Sequence, residues 1–221
     1  MNKTKIEWTD YSWNPVTGCL NNCQYCYAKR MYQKNGRSFK PEFHEDRLNQ
    51  PLNLKGSKKI FVCSVADLFG DWIPKEWIDN VFSIVKKCPN HTFQFLTKNP
   101  KRLLEFSPYP ENAWMGCTAT SQEMAENSIF YLSKIRASIR FLSCEPLLSK
   151  IIISPEDMKI INWLIIGACT GHMASQPQKE WVETLTSIGR QAGCAIFFKP
   201  NLIHPNPPHE FPDDSALFRF L

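Results

Sequence analysis

Ile60-Phe61-Val62-Cys63-Ser64, then Trp77 through Lys87, then Thr92-Phe93-Gln94-Phe95-Leu96 are the runs whose reading decides the fold. The first and third are rich in β-branched and aromatic residues and have the length of strands. The middle run sets Trp77, Ile78, Val81, Phe82, Ile84 and Val85 at helical spacing, which predicts an amphipathic helix. Strand, helix, strand in that order is a βαβ unit, and such units build parallel sheets.

Outward from this unit the rhythm repeats. Trp114–Thr118, Arg140–Ser143, Asn162–Ile166 and Ala195–Phe198 read as further strands. Ser121–Arg136 opens with Ser121-Gln122-Glu123-Met124, a helix N-terminal signal, and Lys179–Ala192 repeats the apolar pattern with Trp181, Val182, Leu185 and Ile188. Strand runs in this number, after an N-terminal segment, suit a full or partial (β/α) barrel; a doubly wound open sheet is the alternative. Both folds gather their reactive groups at the carboxyl ends of the strands. The segments there are Ser64-Val65-Ala66-Asp67, Thr97-Lys98-Asn99-Pro100, Thr118-Ala119-Thr120, Cys144-Glu145-Pro146, Gly167-Ala168-Cys169-Thr170-Gly171 and Lys199-Pro200.

A chain of 221 residues fits one large domain or two small ones, and 43% hydrophobic with 21% charged residues is a globular composition. A core of that size needs no disulfides. No run approaches 18 uninterrupted apolar residues, so no transmembrane helix is expected. Met1 through Glu7 has neither the apolar core nor the cleavage site of a signal peptide, and the expected compartment is the cytoplasm. With no linker or low-complexity tract, residues 1–221 read as a single domain. It carries a basic insertion at 29–59 and a Pro-rich tail at 200–221 that is expected to be irregular and to lie across the surface.

The net charge of +5 is unevenly spread. Between Lys29 and Lys59 stand nine basic residues against Glu42, Glu45 and Asp46, a local +6 that leaves −1 for the rest. Such a surface suits a polyanion such as nucleic acid, or is a solvated face.

Nine cysteines are many for a cytoplasmic chain, and an odd number cannot all pair. Metal or thiol chemistry is the better explanation. Cys19-Leu20-Asn21-Asn22-Cys23-Gln24-Tyr25-Cys26 reads C-x3-C-x2-C and sets three thiolates on one loop. Soft thiolates select zinc, copper(I) or an iron–sulfur cluster. Structural zinc prefers four ligands in paired C-x2-C units, and here a fourth would have to come from His44 at an unpromising spacing. Three ligands on a [4Fe–4S] cluster leave one iron open to a small molecule.

This spacing, with an aromatic before the last cysteine and a run of βα units behind it, resembles the radical S-adenosylmethionine (SAM) superfamily. Glu7-Trp8-Thr9-Asp10, Trp13 through Cys19, Cys26-Tyr27-Ala28, Ser64 through Phe69, Leu96-Thr97-Lys98, Glu145 through Leu148, Ile165-Ile166-Gly167 and Phe197-Phe198-Lys199 look like a small phage- and prophage-associated branch of it. The pair Cys26-Tyr27 is also similar to a DNA-repair lyase of the superfamily. The resemblance implies a partial barrel of about six or seven parallel strands with an N-terminal cluster-binding loop at 19–26. It implies Cys19, Cys23 and Cys26 as ligands of a [4Fe–4S] cluster, with SAM as the second cofactor. Tyr25 would lie beside the adenine, Ser64, Thr118 and Glu145 would meet the ribose or methionine moiety, and Gly167 would let backbone approach the adenine. Electrons would come from a reductase or flavodoxin-type donor.

Relatives in that branch tend to read Gly-Gly-Glu-Ser-Gly where this chain has Gly167-Ala168-Cys169-Thr170-Gly171. A cysteine thus replaces an expected carboxylate, and its S–H could donate hydrogen to a carbon radical; the alternative is a small buried residue. Lys98 and Lys199, at strand ends, are candidates to meet substrate phosphate. The expected function is radical SAM modification or repair of nucleic acid or a nucleotide. Alternatives are modification of a protein or peptide, or a zinc-stabilised nucleic-acid-binding module without catalysis.

Overall fold

The computed structural model describes residues 1–212, so the end of the Pro-rich tail lies outside the described residues. The N-terminal part holds β1 (Asn2–Lys3), β2 (Tyr11–Trp13), β3 (Val16–Thr17), α1 (Tyr27–Lys34), β4 (Glu42–Phe43) and α2 (Glu45–Leu48). Then come β5 (Lys59–Val62), α3 (Lys75–Lys87), β6 (Thr92–Thr97), β7 (Ala113–Thr118), α4 (Gln122–Leu132), β8 (Ile139–Cys144), α5 (Pro155–Met158), β9 (Trp163–Ile166), α6 (Lys179–Gln191) and β10 (Ala195–Phe198). No helix among the described residues is long and apolar enough to cross a membrane.

The main sheet runs β1-β2-β5-β6-β7-β8-β9-β10, and every pairing from β2 to β10 is parallel. β1 joins β2 antiparallel at one edge, while β3 and β4 form a separate ribbon. Helix α4 begins as the sequence signal predicts: the Ser121 side chain accepts from Met124 N. Between β6 and β7 the chain makes a 3-10 helix, Pro100–Phe106, in place of an α-helix. Prolines at 100, 108 and 110 break the longer pattern there.

Side chains alternate across the sheet with period two. One set, including Val62, Phe93, Phe95, Met115, Leu142 and Ile166, packs beneath Ile78, Val81, Ala125, Leu132, Val182 and Leu185 of the helices. The other set forms a second cluster of Phe61, Trp114, Phe141, Trp163 and Phe197 that contains no helical residue. Strands β5 and β9 are not neighbours in the sheet, yet Phe61 and Trp163 both meet Trp8 edge-to-face, at 4.8 and 5.9 Å. The sheet therefore curls around its own inner face as a partial barrel, which excludes the doubly wound alternative. Gly116 is required inside: a Cβ there would lie 2.3 Å from the Phe141 ring.

The tail does more than cross the surface. Phe198 N donates to Pro208 O and Glu210 N to Ile196 O, so residues 208–210 pair with the outer edge of β10. Phe211 reaches over the barrel floor to Trp163, at 5.5 Å, and to Lys59 Nζ, at 4.2 Å. Arg190 of α6 grips Glu210 with both terminal nitrogens. This hydrogen-bonded guanidinium holds the Glu210 carboxyl below its ordinary value of 4.5. A carboxyl lowered in the folded state adds stability above its ordinary value and withdraws it as pH falls through the lowered one. Both side chains are two-fifths or more exposed, so the effect is small. Glu210→Gln is expected to melt earlier than the wild type at neutral pH, the gap closing below pH 4.5; a gap that persists in acid rejects this account.

Candidate active site

The carboxyl ends of β2 and β5 through β10 surround one cavity of about 990 Å³. Parallel register brings these ends to one level: Thr118 pairs with Ser143, and Cys144 with Ile166. Alternation then decides who faces in. Thr118 and Ser143 line the cavity, while Cys117 and Cys144, one step away, belong to the core under the helices. Burial pushes the Cys144 thiol up to about 12 and raises Cys117 further, so both are inert at neutral pH.

Cys19, Cys23 and Cys26 all line this cavity, half-buried and unpaired. Gly18 N donates to Val65 O and Cys19 N to Phe39 O, which fasten the start of the loop. Asn22 turns it with φ 52°, a left-handed conformation that asparagine tolerates. Cys26 is the N-cap of α1, its sulfur accepting from Lys29 N at 3.3 Å. The helix N-terminus favours negative charge there, as a thiolate ligand needs. Asn21 N lies 3.5 Å from the Cys19 sulfur. Burial raises the Cys19 thiol, the Asn21 N–H opposes this, and the nearby charges of Asp67 and Cys23 add to it.

Among the described residues no three His, Cys, Asp or Glu side chains converge as ligands of a single metal ion. Ligands of a [4Fe–4S] cluster bind separate irons and need not converge on one point. Three thiols on one loop at a cavity wall, one of them on a helix N-terminus, fit that donor set. His44 does not complete a zinc site: its Nε2 is 2.8 Å from Thr17 Oγ1, and it does not line the cavity.

The other candidates are placed as follows. Tyr25 lines the cavity, and its hydroxyl meets the Thr120 and Cys23 side chains. Burial, then the Cys23 charge, raises its phenol well above the usual range. Lys98 Nζ stands 5.7 Å from the Tyr25 ring centroid, within cation–π reach. Ser64 bonds Asn14 Oδ1 through its hydroxyl and accepts from Tyr27 Oη at 2.7 Å through its carbonyl. The residue before it, Cys63, has φ 58°, and this is why β5 stops at Val62, short of the expected Ser64. Glu145 and Lys199 line the cavity as an ion pair of 2.5 Å, with their side chains 25% and 19% exposed. Lys199 is thus already neutralised by the chain, whereas Lys98 has no carboxylate partner among the described residues. Gly167 does not line the cavity; a Cβ there would be 2.9 Å from Glu145 Cγ and 3.2 Å from Asn201 Oδ1. Cys169 does line it, buried, in an antiparallel bridge with Ser175.

Sequence reasoning missed Asp67, Asn21, Thr120 and Asn201. Asp67 and Thr120 stand in segments recognised as strand ends, but their partners are set by the tertiary fold. Asn201 bonds Ala168 O and N across two strand ends.

Among solved structures the fold is similar to spore photoproduct lyase. A Cys-to-Ser variant of that protein gives a TM-score of 0.52 at 11% identity, over 90% of this chain and 79% of that one. The complex with dinucleoside spore photoproduct gives 0.49 at 12% identity, over 86% and 62%. A double variant with bound AdoMet and dinucleoside spore photoproduct gives 0.49 at 13%, over 89% and 57%. In these last two the chain spans less than two thirds of the neighbour's length. None of the curated proteins matches. By architecture this is an α/β partial barrel of the kind found in spore photoproduct lyase, with its cavity at the strand ends. The chain belongs to the family described as "Protein of unknown function (DUF5131)", which matches residues 3–202.

Proposed function

We propose that the protein is a radical SAM enzyme whose substrate is a nucleic acid or nucleotide. The observation that carries the enzyme class is the meeting of Cys19, Cys23 and Cys26 in one cavity at the strand ends of a partial barrel. These cysteines would hold a [4Fe–4S] cluster, with Tyr25, Ser64, Thr118 and Glu145 around SAM. When bound, such a cluster with one free iron supplies the electron that splits SAM into methionine and a 5′-deoxyadenosyl radical. Tyr25 offers an aromatic face braced by Lys98, and Glu145 offers its carboxylate only by parting from Lys199. Cys169 lines the cavity, and its S–H would donate hydrogen to a carbon radical formed there. The electrons would come from a reductase or flavodoxin-type donor.

Charge favours the nucleic-acid substrate over a peptide. None of the nine basic residues between Lys29 and Lys59 forms an ion pair among the described residues, whereas Lys75, Arg102, Lys159, Lys179, Arg190 and Lys199 all do. Met31, Phe39 and Arg47 of that segment line the cavity, so the unpaired cations adjoin the site. A polyanion is held by such charges in a salt-dependent way.

Anaerobic reconstitution with iron and sulfide, then dithionite and SAM, tests the class. The expected result is a brown protein with about four irons per chain that releases 5′-deoxyadenosine. A colourless protein binding one zinc and leaving SAM intact supports the non-catalytic module instead. With an oligonucleotide substrate in hand, Cys169→Ala should still cleave SAM but lose product; unchanged turnover removes Cys169 from the mechanism.

A further inference from the structure

Asp67 is 5% exposed and lies at the turn after β5. It has no cationic partner among the described residues. A buried carboxylate is costly unless its oxygens are fully hydrogen-bonded. Here both are. Oδ1 accepts from Phe69 N at 3.2 Å and from Thr97 Oγ1 at 2.6 Å. Oδ2 accepts from Lys98 N and from Asn21 Nδ2, each at 2.9 Å.

These donors come from three places: Asp67's own turn, the end of β6, and the middle of the cysteine loop. Asn21 stands between Cys19 and Cys23. The backbone bonds of Gly18 and Cys19 hold the start of that loop, and Cys26 at the N-cap of α1 holds its end. Asn21 to Asp67 ties its middle to the barrel. Through Lys98 N the same carboxylate fixes the segment whose side chain stands over Tyr25.

We infer that Asp67 is the positioning residue of the cysteine loop: it holds Asn21, and so the spacing of Cys19 and Cys23, while placing one fixed negative charge beside whatever those thiolates bind. This rests on reading the cysteines as ligands, but the test separates the two. Asn21→Ala removes the loop's bond and leaves Asp67 with its other three donors, so the fold is kept. Asp67→Asn removes the charge and sets an amide NH2 against donors.

The first readout is alkylation of each cysteine in the metal-free full chain, resolved by peptide mass. In Asn21→Ala, Cys19 and Cys23 should react roughly ten-fold faster, the factor given by losing one charged hydrogen bond of about 1.4 kcal/mol. Buried Cys117 and Cys144 should stay protected. Wild-type rates at Cys19 and Cys23 overturn the inference, whether or not the protein takes up iron. The second readout is the midpoint potential of the reconstituted protein. It should rise in Asp67→Asn, where a negative charge is lost, and stay in place in Asn21→Ala; an equal shift in both overturns the charge role. A wild type that takes up no iron defeats the proposed function and leaves the alkylation result standing.

Discussion

Cys23→Ala is expected to leave a folded protein that retains no iron after reconstitution and desalting and releases no 5′-deoxyadenosine. Outer-shell partners of a metal site already change affinity about 10–100-fold, and a lost ligand should cost at least ~100-fold. The loop offers the cavity only the thiols of Cys19, Cys23 and Cys26, so no spare loop thiol stands in. Cys63 and Cys169 also line it, but both are buried and lie outside the loop. Cys63 and Cys117 pack in the core beneath the helices, Cys63 at the wall of the cavity. Burial pushes Cys63 up to about 12 and raises Cys117 beyond that, which keeps them protonated and poor as ligands. The melting temperature should move little, since Cys23 is half-buried and its loop is fastened at both ends. Iron analysis, absorbance and nucleoside chromatography on the same sample check the result. Full iron in Cys23→Ala would show that the cluster is held elsewhere.

Trp163→Ala should produce the largest loss of stability. The side chain is fully buried inside the barrel. Its ring meets those of Trp8, Trp114, Phe141, Phe197 and Phe211 at centroid distances of 5.5 to 5.9 Å. Its Nε1 donates to Glu210 O at 2.8 Å, so it also holds the C-terminal strap. A buried Trp→Ala change costs about 3–5 kcal/mol. For a chain of this size that lowers the melting temperature by roughly 6–20 °C. Trp163→Phe keeps an aromatic filler, losing the hydrogen bond and part of the ring contact, and should fall well short of the alanine loss. Calorimetry of the two variants checks this. Equal losses would mean that the hydrogen bond to the strap, rather than the ring, carries the effect.

The local patterns were readable because they depend on near neighbours. Ser121 announces α4 by capping it three residues on, and the apolar spacing of Trp77–Lys87 announces α3. The strands β1 and β2 were not readable: two and three residues show no period, and they exist because β2 pairs with β5 some fifty positions away. The strap was legible as irregular, yet its pairing with β10 is a non-local fact that prolines conceal.

The candidate residues divide in the same way. Cys19, Cys23, Cys26, Tyr25, Ser64, Lys98, Thr118, Glu145, Cys169 and Lys199 share one cavity, because strand ends in a parallel barrel must come together. Gly167 is set back, serving close approach by Glu145 and Asn201. Lys199, read as a phosphate contact, is bound to Glu145 on another strand. Asp67 gave no signal of its own, since one acid after a strand is common and its meaning lies in donors at 21, 69, 97 and 98.

The sequence alone determined the alternation of strand and helix, the loop with three thiols and the end of the sheet where polar segments gather. These follow from side-chain period and spacing along one stretch of chain. Tertiary structure alone decided that the sheet curls around Trp163, that Cys117 and Cys144 turn away while Thr118 and Ser143 turn in, and that Asp67 carries the loop. Those outcomes depend on register and on contacts between residues far apart, and register fixes them only once the strands are laid side by side.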